Sequence, residues 1–175
     1  MKNQLSLTTL ITIALCVWGS GLATAGTATT TFPVSITATT ACSVTATGLD
    51  FGTFVPGPTS PAVSGTGTVT VTCALNVPYK VALDRGLHGG AGGRKLQFAN
   101  GTTMTYEIYQ DSSKTVVWGD NDLANTYPPG ASLAGTGSGV AQPLTVHGMV
   151  PAGQNPTVPP SFPEGVDTIT VTVAF

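Results

Sequence analysis

Few side chains in this sequence are equipped to do chemistry. His88 and His147 are the only histidines. A serine or cysteine nucleophile would need one of them beside a carboxylate. His88 lies in Leu87-His88-Gly89-Gly90, a glycine-rich loop, and His147 lies in a strand-like run with no acid nearby in sequence. Neither belongs to a catalytic motif, and both read as structural or solvated. Asp120-Asn121-Asp122 offers oxygen ligands of the kind calcium takes. It lacks the spacing and closing Glu of an EF-hand, so it reads as a polar turn. Gly135-Thr136-Gly137-Ser138-Gly139 lacks the Lys of a phosphate loop and opens no helix; it reads as a loop. Tyr106, Tyr109 and Trp118 raise the thought of a sugar platform. The spacing sends Tyr106 and Tyr109 to opposite faces of one strand, one into the core and one partly exposed. No catalytic residue, metal ligand, cofactor-binding set or small-molecule substrate is assigned, and an enzyme is not expected.

The cysteines carry more information. Residues 1–25 have the form of a secretory signal peptide: Lys2, a short apolar run around residues 10–18, and Ala23-Thr24-Ala25 ahead of Gly26. Cys16 leaves with that leader. Cys42 and Cys73 remain, and in an oxidising compartment one pair has one connectivity. The bridge closes a loop of about 30 residues, worth on the order of 3–4 kcal/mol by chain entropy. The alternative is two buried free thiols.

The composition frames the fold. Charged residues make up 8% of the 175-residue chain and the net charge is −2. An ordinary soluble domain carries roughly 25%. There is no basic patch, so nucleic acid is not an expected partner. Abundant Thr and Val with 22 Gly and 13 Pro point to an all-β protein rich in turns. A surface with so few charges is poorly protected against edge-to-edge pairing, which suits a subunit packed in an assembly.

The elements that must position everything are strands. Residues 66–74 place Val69, Val71 and Cys73 on one face and Thr68, Thr70 and Thr72 on the other. Tyr79, Val81 and Leu83 alternate likewise, as do Met104, Tyr106 and Ile108 in 103–110, and Leu144, Val146 and Gly148. Residues 115–118 make a short candidate. Asn100-Gly101 reads as a hairpin turn. No stretch carries helical periodicity over three turns. Two alternating segments bracket the secreted chain: Phe32, Val34, Ile36 and Ala38 near its start, and Ile169, Val171, Val173 and Phe175 within a strand expected over 167–175. An apolar strand ahead of the cysteine framework needs a place to go. The plainest reading is the first strand of a self-contained sandwich, because most strands pair within their own chain.

An ordered set of segments is familiar. It comprises Cys42-Ser43-Val44, Leu49-Asp50-Phe51-Gly52, Gly67 to Cys73, Pro78 to Asp84, Arg94-Lys95-Leu96, Met104 to Asp111, Trp118-Gly119, Leu144 to Val150 and the terminal strand. In these segments the chain resembles the spore coat protein U domain family, which includes pilin subunits of archaic (Csu-type) chaperone–usher fimbriae. His147 and Phe175 stand where the family often has Tyr, and Glu164-Gly165-Val166-Asp167 replaces a Gly-x-Tyr-x-Asp approach to the last strand. The strand pattern survives these departures.

The resemblance implies an incomplete immunoglobulin-like sandwich lacking its seventh strand, with one disulfide. It implies a signal peptide at 1–25, a donor-strand extension at 26–40 and the pilin-like domain at 41–175. Phe32, Val34, Ile36 and Ala38 would enter a neighbour's groove; Ile169, Val171, Val173 and Phe175 would line the acceptor groove and meet the chaperone. Pro33 should sit where its nitrogen faces outward. The partners implied are a periplasmic chaperone, an outer-membrane usher and other copies of the chain or related pilins. Export through the periplasm to a surface fimbrium, adhesion and biofilm formation follow. With room for one domain, a shaft or minor subunit is expected rather than a tip adhesin. The other readings are a cell- or spore-surface coat protein with a self-contained sandwich, and a secreted binding module or hydrolase.

Overall fold

A computed structural model describes residues 27–37, 40–90, 92–127 and 129–175. The expected leader at 1–25 and Ala38 lie outside the described residues. Two units are distinguished, residues 1–37 and 38–175. In the first, residues 27–37 carry no regular secondary structure, and Phe32, Val34 and Ile36 are 80%, 86% and 94% exposed. A strand exists only by pairing, so the alternation there is a pattern without a ladder.

Among the described residues, the second unit has eight strands and no helix: β1 (Cys42–Thr47), β2 (Val63–Cys73), β3 (Pro78–Leu83), β4 (Arg94–Gln97), β5 (Thr103–Tyr109), β6 (Leu133–Thr136), β7 (Gln142–Val150) and β8 (Val171–Ala174). They form a five-stranded sheet in the order β1-β2-β7-β5-β4 and a three-stranded sheet in the order β6-β3-β8. Every ladder is antiparallel. The expected alternation sets the core. Val69, Val71 and Cys73 from β2, Tyr79, Val81 and Leu83 from β3, Met104, Tyr106 and Ile108 from β5, and Val146 and Val150 from β7 are buried together. Each such aliphatic side chain contributes roughly 1.5–3 kcal/mol of burial. Tyr109 faces the other way and is half-buried. Cys42 and Cys73 are register partners across β1 and β2 and form the disulfide.

Three local expectations are corrected. Residues 115–118 form only isolated bridges, from Val117 to Tyr109 and from Trp118 to Ala131, because a tight Asp111 turn leaves too few residues for a ladder. The 135–139 segment is not wholly a loop: Gly135 lies inside β6 opposite Tyr79, where a Cβ would stand 2.4 Å from the Tyr79 ring. The last strand is shorter than 167–175. Residues 167–170 are held by side chains and loop bonds, and the ladder begins at Val171.

Candidate functional site: an open groove between two sheet edges

β1 ends one sheet and β8 ends the other, and each pairs on one side only. Between the sheets lies a cavity of ≈ 350 Å³. Its apolar walls include Leu49, Phe51, Val69, Leu83, Ile108 and Val146, with Ile169 and Val171 on the β8 side. Finished protein interiors are close-packed, with few voids larger than a water. An engineered apolar cavity of about 150 Å³ already stays dry and takes up small hydrophobes. This core is open at the place where two edges are unpaired.

The β8 side is built by a chain of polar contacts. Arg94 is fully buried; its Nε and Nη2 donate to the Asp84 carbonyl at 2.9 and 2.7 Å. The Asp84 carboxylate accepts from the Gly86 and Thr170 N–H groups, both at 2.9 Å. Leu87 N–H donates to the Thr168 carbonyl at 3.0 Å. Asp167 accepts from His88 N–H at 3.0 Å, from its neighbour Thr168 N–H at 2.9 Å and from the Tyr106 hydroxyl at 2.7 Å. Gly86 permits this: at φ 83° a side chain would be strained, and its Cβ would stand 2.1 Å from the Asp167 carboxylate. Burial, then the bond to Asp167, pushes the Tyr106 phenol far above its ordinary pKa, so it stays a neutral donor. Asp167 and Tyr106 thus place a bonded carboxylate and phenol at one end of a groove whose walls are mostly apolar. The ring of Phe51 meets Tyr106 edge-on at 5.8 Å.

The structure brings together part of the expected acceptor set. Ile169 and Val171 line the cavity, Val173 packs on the core beside them, and Phe175 is 60% exposed beyond the end of β8. Of the expected donor set, Phe32, Val34 and Ile36 are exposed and Ala38 lies outside the described residues. The sequence reading did not single out Leu49, Phe51, Asp84 or Asp167 as groove residues. The signal for the acids was available: in a chain with so few charges, Asp84 and Asp167 at strand ends are conspicuous.

The other constellations resolve as structure. The Asp120 carboxylate is buried, accepting from Thr126 Oγ1 and Tyr127 N–H, and Asp122 binds Lys80 at 2.8 Å and Ser132. The Lys80 partner holds the Asp122 carboxyl far below the usual carboxylate range. Trp118 is buried with its indole N–H on the Val81 carbonyl, and His147 sits in β7 opposite Thr66 and Tyr109.

Comparison with known proteins agrees with this architecture. The chain shares 31% identity over 140 residues with Protein U of Myxococcus xanthus, covering 73% of this chain and 71% of the relative. It is also similar to a chain in the crystal structure of the CsuC-CsuE chaperone-tip adhesion subunit pre-assembly complex from archaic chaperone-usher Csu pili of Acinetobacter baumannii. The TM-score is 0.51 at 22% identity, over 78% of this chain. This chain spans 40% of the length of that one, and the likeness is one of fold. The Spore Coat Protein U domain model matches residues 28–172, and the chain belongs to that family.

Proposed function

We propose that this chain is a structural, non-enzymatic subunit of a surface pilus, assembled by donor-strand exchange on the chaperone–usher pathway. The observation that carries the reading is the open groove: an unfilled core flanked by the free edges of β1 and β8. An edge strand with apolar pockets beside it is the receiving half of strand addition. A candidate for the giving half is in the same sequence, where Phe32, Val34, Ile36 and Ala38 alternate with Pro33, Ser35 and Thr37. A second copy, or a related pilin, supplies that segment. The likeness in fold to a chaperone–subunit complex supports a periplasmic chaperone as the temporary occupant and an outer-membrane usher as the site of exchange. The subunit is exported with loss of residues 1–25 and displayed on the surface in adhesion and biofilm formation.

The test is assembly of the periplasmically expressed chain, alone and with Phe32, Val34 and Ile36 changed to Asp, by size-exclusion chromatography and negative-stain microscopy. Carboxylates in apolar pockets are costly. The expected result is filaments or short chains from the parent and folded monomers from the triple variant. Identical stable monomers from both would end the pilus reading. The family's name favours one second reading, a surface-coat protein whose N-terminal segment completes its own sandwich. Unfolding of the triple variant would move that reading ahead.

A further inference from the structure

An alternating donor segment has a weakness that its apolar residues cannot cure. Slipping it by two residues keeps every apolar side chain on the buried face. Resting on the donor-strand reading above, we infer that Thr40 and Asp167 set the register. Thr40 of an incoming second copy seats at the polar end of the groove, against Asp167, and so fixes where each apolar residue falls.

The backbone supplies the first part of the argument. Thr168 and Thr170 spend their carbonyls on Leu87 and Asp84, on the β3 side. Along an extended chain alternate residues turn their N–H and C=O groups to opposite edges, so Ile169, Val171 and Val173 present theirs at the free edge. The side chains follow the same phase: Ile169, Val171 and Val173 are half-buried while Thr168, Thr170 and Thr172 are exposed. An antiparallel partner is the commoner and slightly more stable choice. Its C-terminal end then lies beside Asp167.

The donor supplies the second part. On its inward face the sequence reads Thr30, Phe32, Val34, Ile36, Ala38, Thr40, an apolar run ended by hydroxyls. Placing Thr40 opposite Asp167 puts Ala38 opposite Ile169, Ile36 opposite Val171, Val34 opposite Val173 and Phe32 opposite Phe175. Pro33 then falls opposite Ala174, a position that asks no N–H of it, which fixes the odd–even phase. A two-residue slip in one direction sets the Ala38 methyl against the Asp167 carboxylate. In the other it sets the Thr40 hydroxyl against Ile169. Asp167 has three donors, and a carboxylate has about four acceptor sites, so it can take one more.

Cysteine trapping in the full chain reads the register directly. Three double variants carry Ile36→Cys with Val171→Cys, Val173→Cys or Ile169→Cys. The expected result is intermolecular disulfide chiefly through position 171, by at least about tenfold, the ratio that loss of one hydrogen bond to a charged group sets. Thr40→Val should spread trapping over the neighbouring positions without abolishing assembly. Assembly with equal trapping at all three positions, or a preference that Thr40→Val does not move, overturns the register while leaving donor-strand assembly intact. Absence of any assembly or trapping overturns both. A second measurement needs no cysteine. Labelled peptides of residues 27–40, native or with Thr40→Val, are titrated onto the triple-Asp chain. The native peptide should bind about tenfold more tightly, and equal binding contradicts the assignment.

Discussion

Two neighbouring regions of this sandwich differ in completeness. In one, Arg94 is fully buried and bonded from Nε, Nη1 and Nη2. It pairs with Glu107 at 2.9 Å, donates to the Leu83, Asp84 and Trp118 carbonyls, and lies 4.2 Å over the Tyr127 ring. Tyr127 in turn donates to Glu107. Beside that region Leu83, Ile108, Val146, Ile169 and Val171 surround ≈ 350 Å³ of open space between unpaired edges. The difference teaches that the fold is not loosely packed throughout. It is closed where a buried charge is met by its partners, and open between the unpaired edges of β1 and β8. Asp84 joins the two regions, since its carbonyl serves Arg94 and its carboxylate holds Thr170.

The contrast can be broken first at Arg94. Arg94→Ala removes the cation paired with Glu107 and the donor to three carbonyls, and removal of one member of a buried pair costs about 3–5 kcal/mol. Urea unfolding of the chain is expected to show that loss, and a change below about 1 kcal/mol would mean the closed end is not what holds the fold. Second, replacing Cys42 and Cys73 by Ser should lower stability by about 3–4 kcal/mol, read from the same transition. Because β1 borders the groove, the exchange of amides in residues 42–47 should rise more than that of β3. Third, the same overpacking change should have different consequences in the two regions. Val81→Phe, in the closed core, is expected to cost about 1–3 kcal/mol. Val146→Phe, facing the cavity, is expected to cost less than Val81→Phe while blocking uptake of the 27–40 peptide.

The smallest effect concerns alkaline pH. Burial, and bonds to Asp167 and Glu107, raise both Tyr106 and Tyr127 well above the ordinary phenol. A folded-state pKa above the unfolded value of about 10 means stability that is complete below that pH and lost as pH rises beyond it. Thermal melts between pH 9 and 11.5 should fall above about pH 10, and Tyr127→Phe should flatten the slope.

Much of the strand plan was legible because period-two alternation in β2, β3, β5 and β7 has a single physical meaning, one buried face. The Cys42–Cys73 bridge was legible because reading residues 1–25 as a leader leaves only two cysteines. Arg94 was not. An arginine beside Lys95 reads as surface, and its burial follows only when β3, β5 and the 118–127 segment converge on it. Asp167 and Asp84 were missed for a related reason: their bonds cross 79 and 86 residues, to His88 and Thr170, and no local pattern announces them. The start of β8 was placed too early because alternation runs through Asp167 to Thr170, where loop contacts replace the ladder. The groove itself could be inferred only by resemblance, since an open cavity leaves no residue in the sequence to read.

The central claim is that this core is finished by another molecule. The most direct measurement is a structure of the smallest assembled species, read for what fills the groove between β1 and β8. The account predicts residues 32–38 of a second copy lying along β8, with the cavity filled. A groove filled by the chain's own residues 32–38, or one left open while copies join elsewhere, would contradict it.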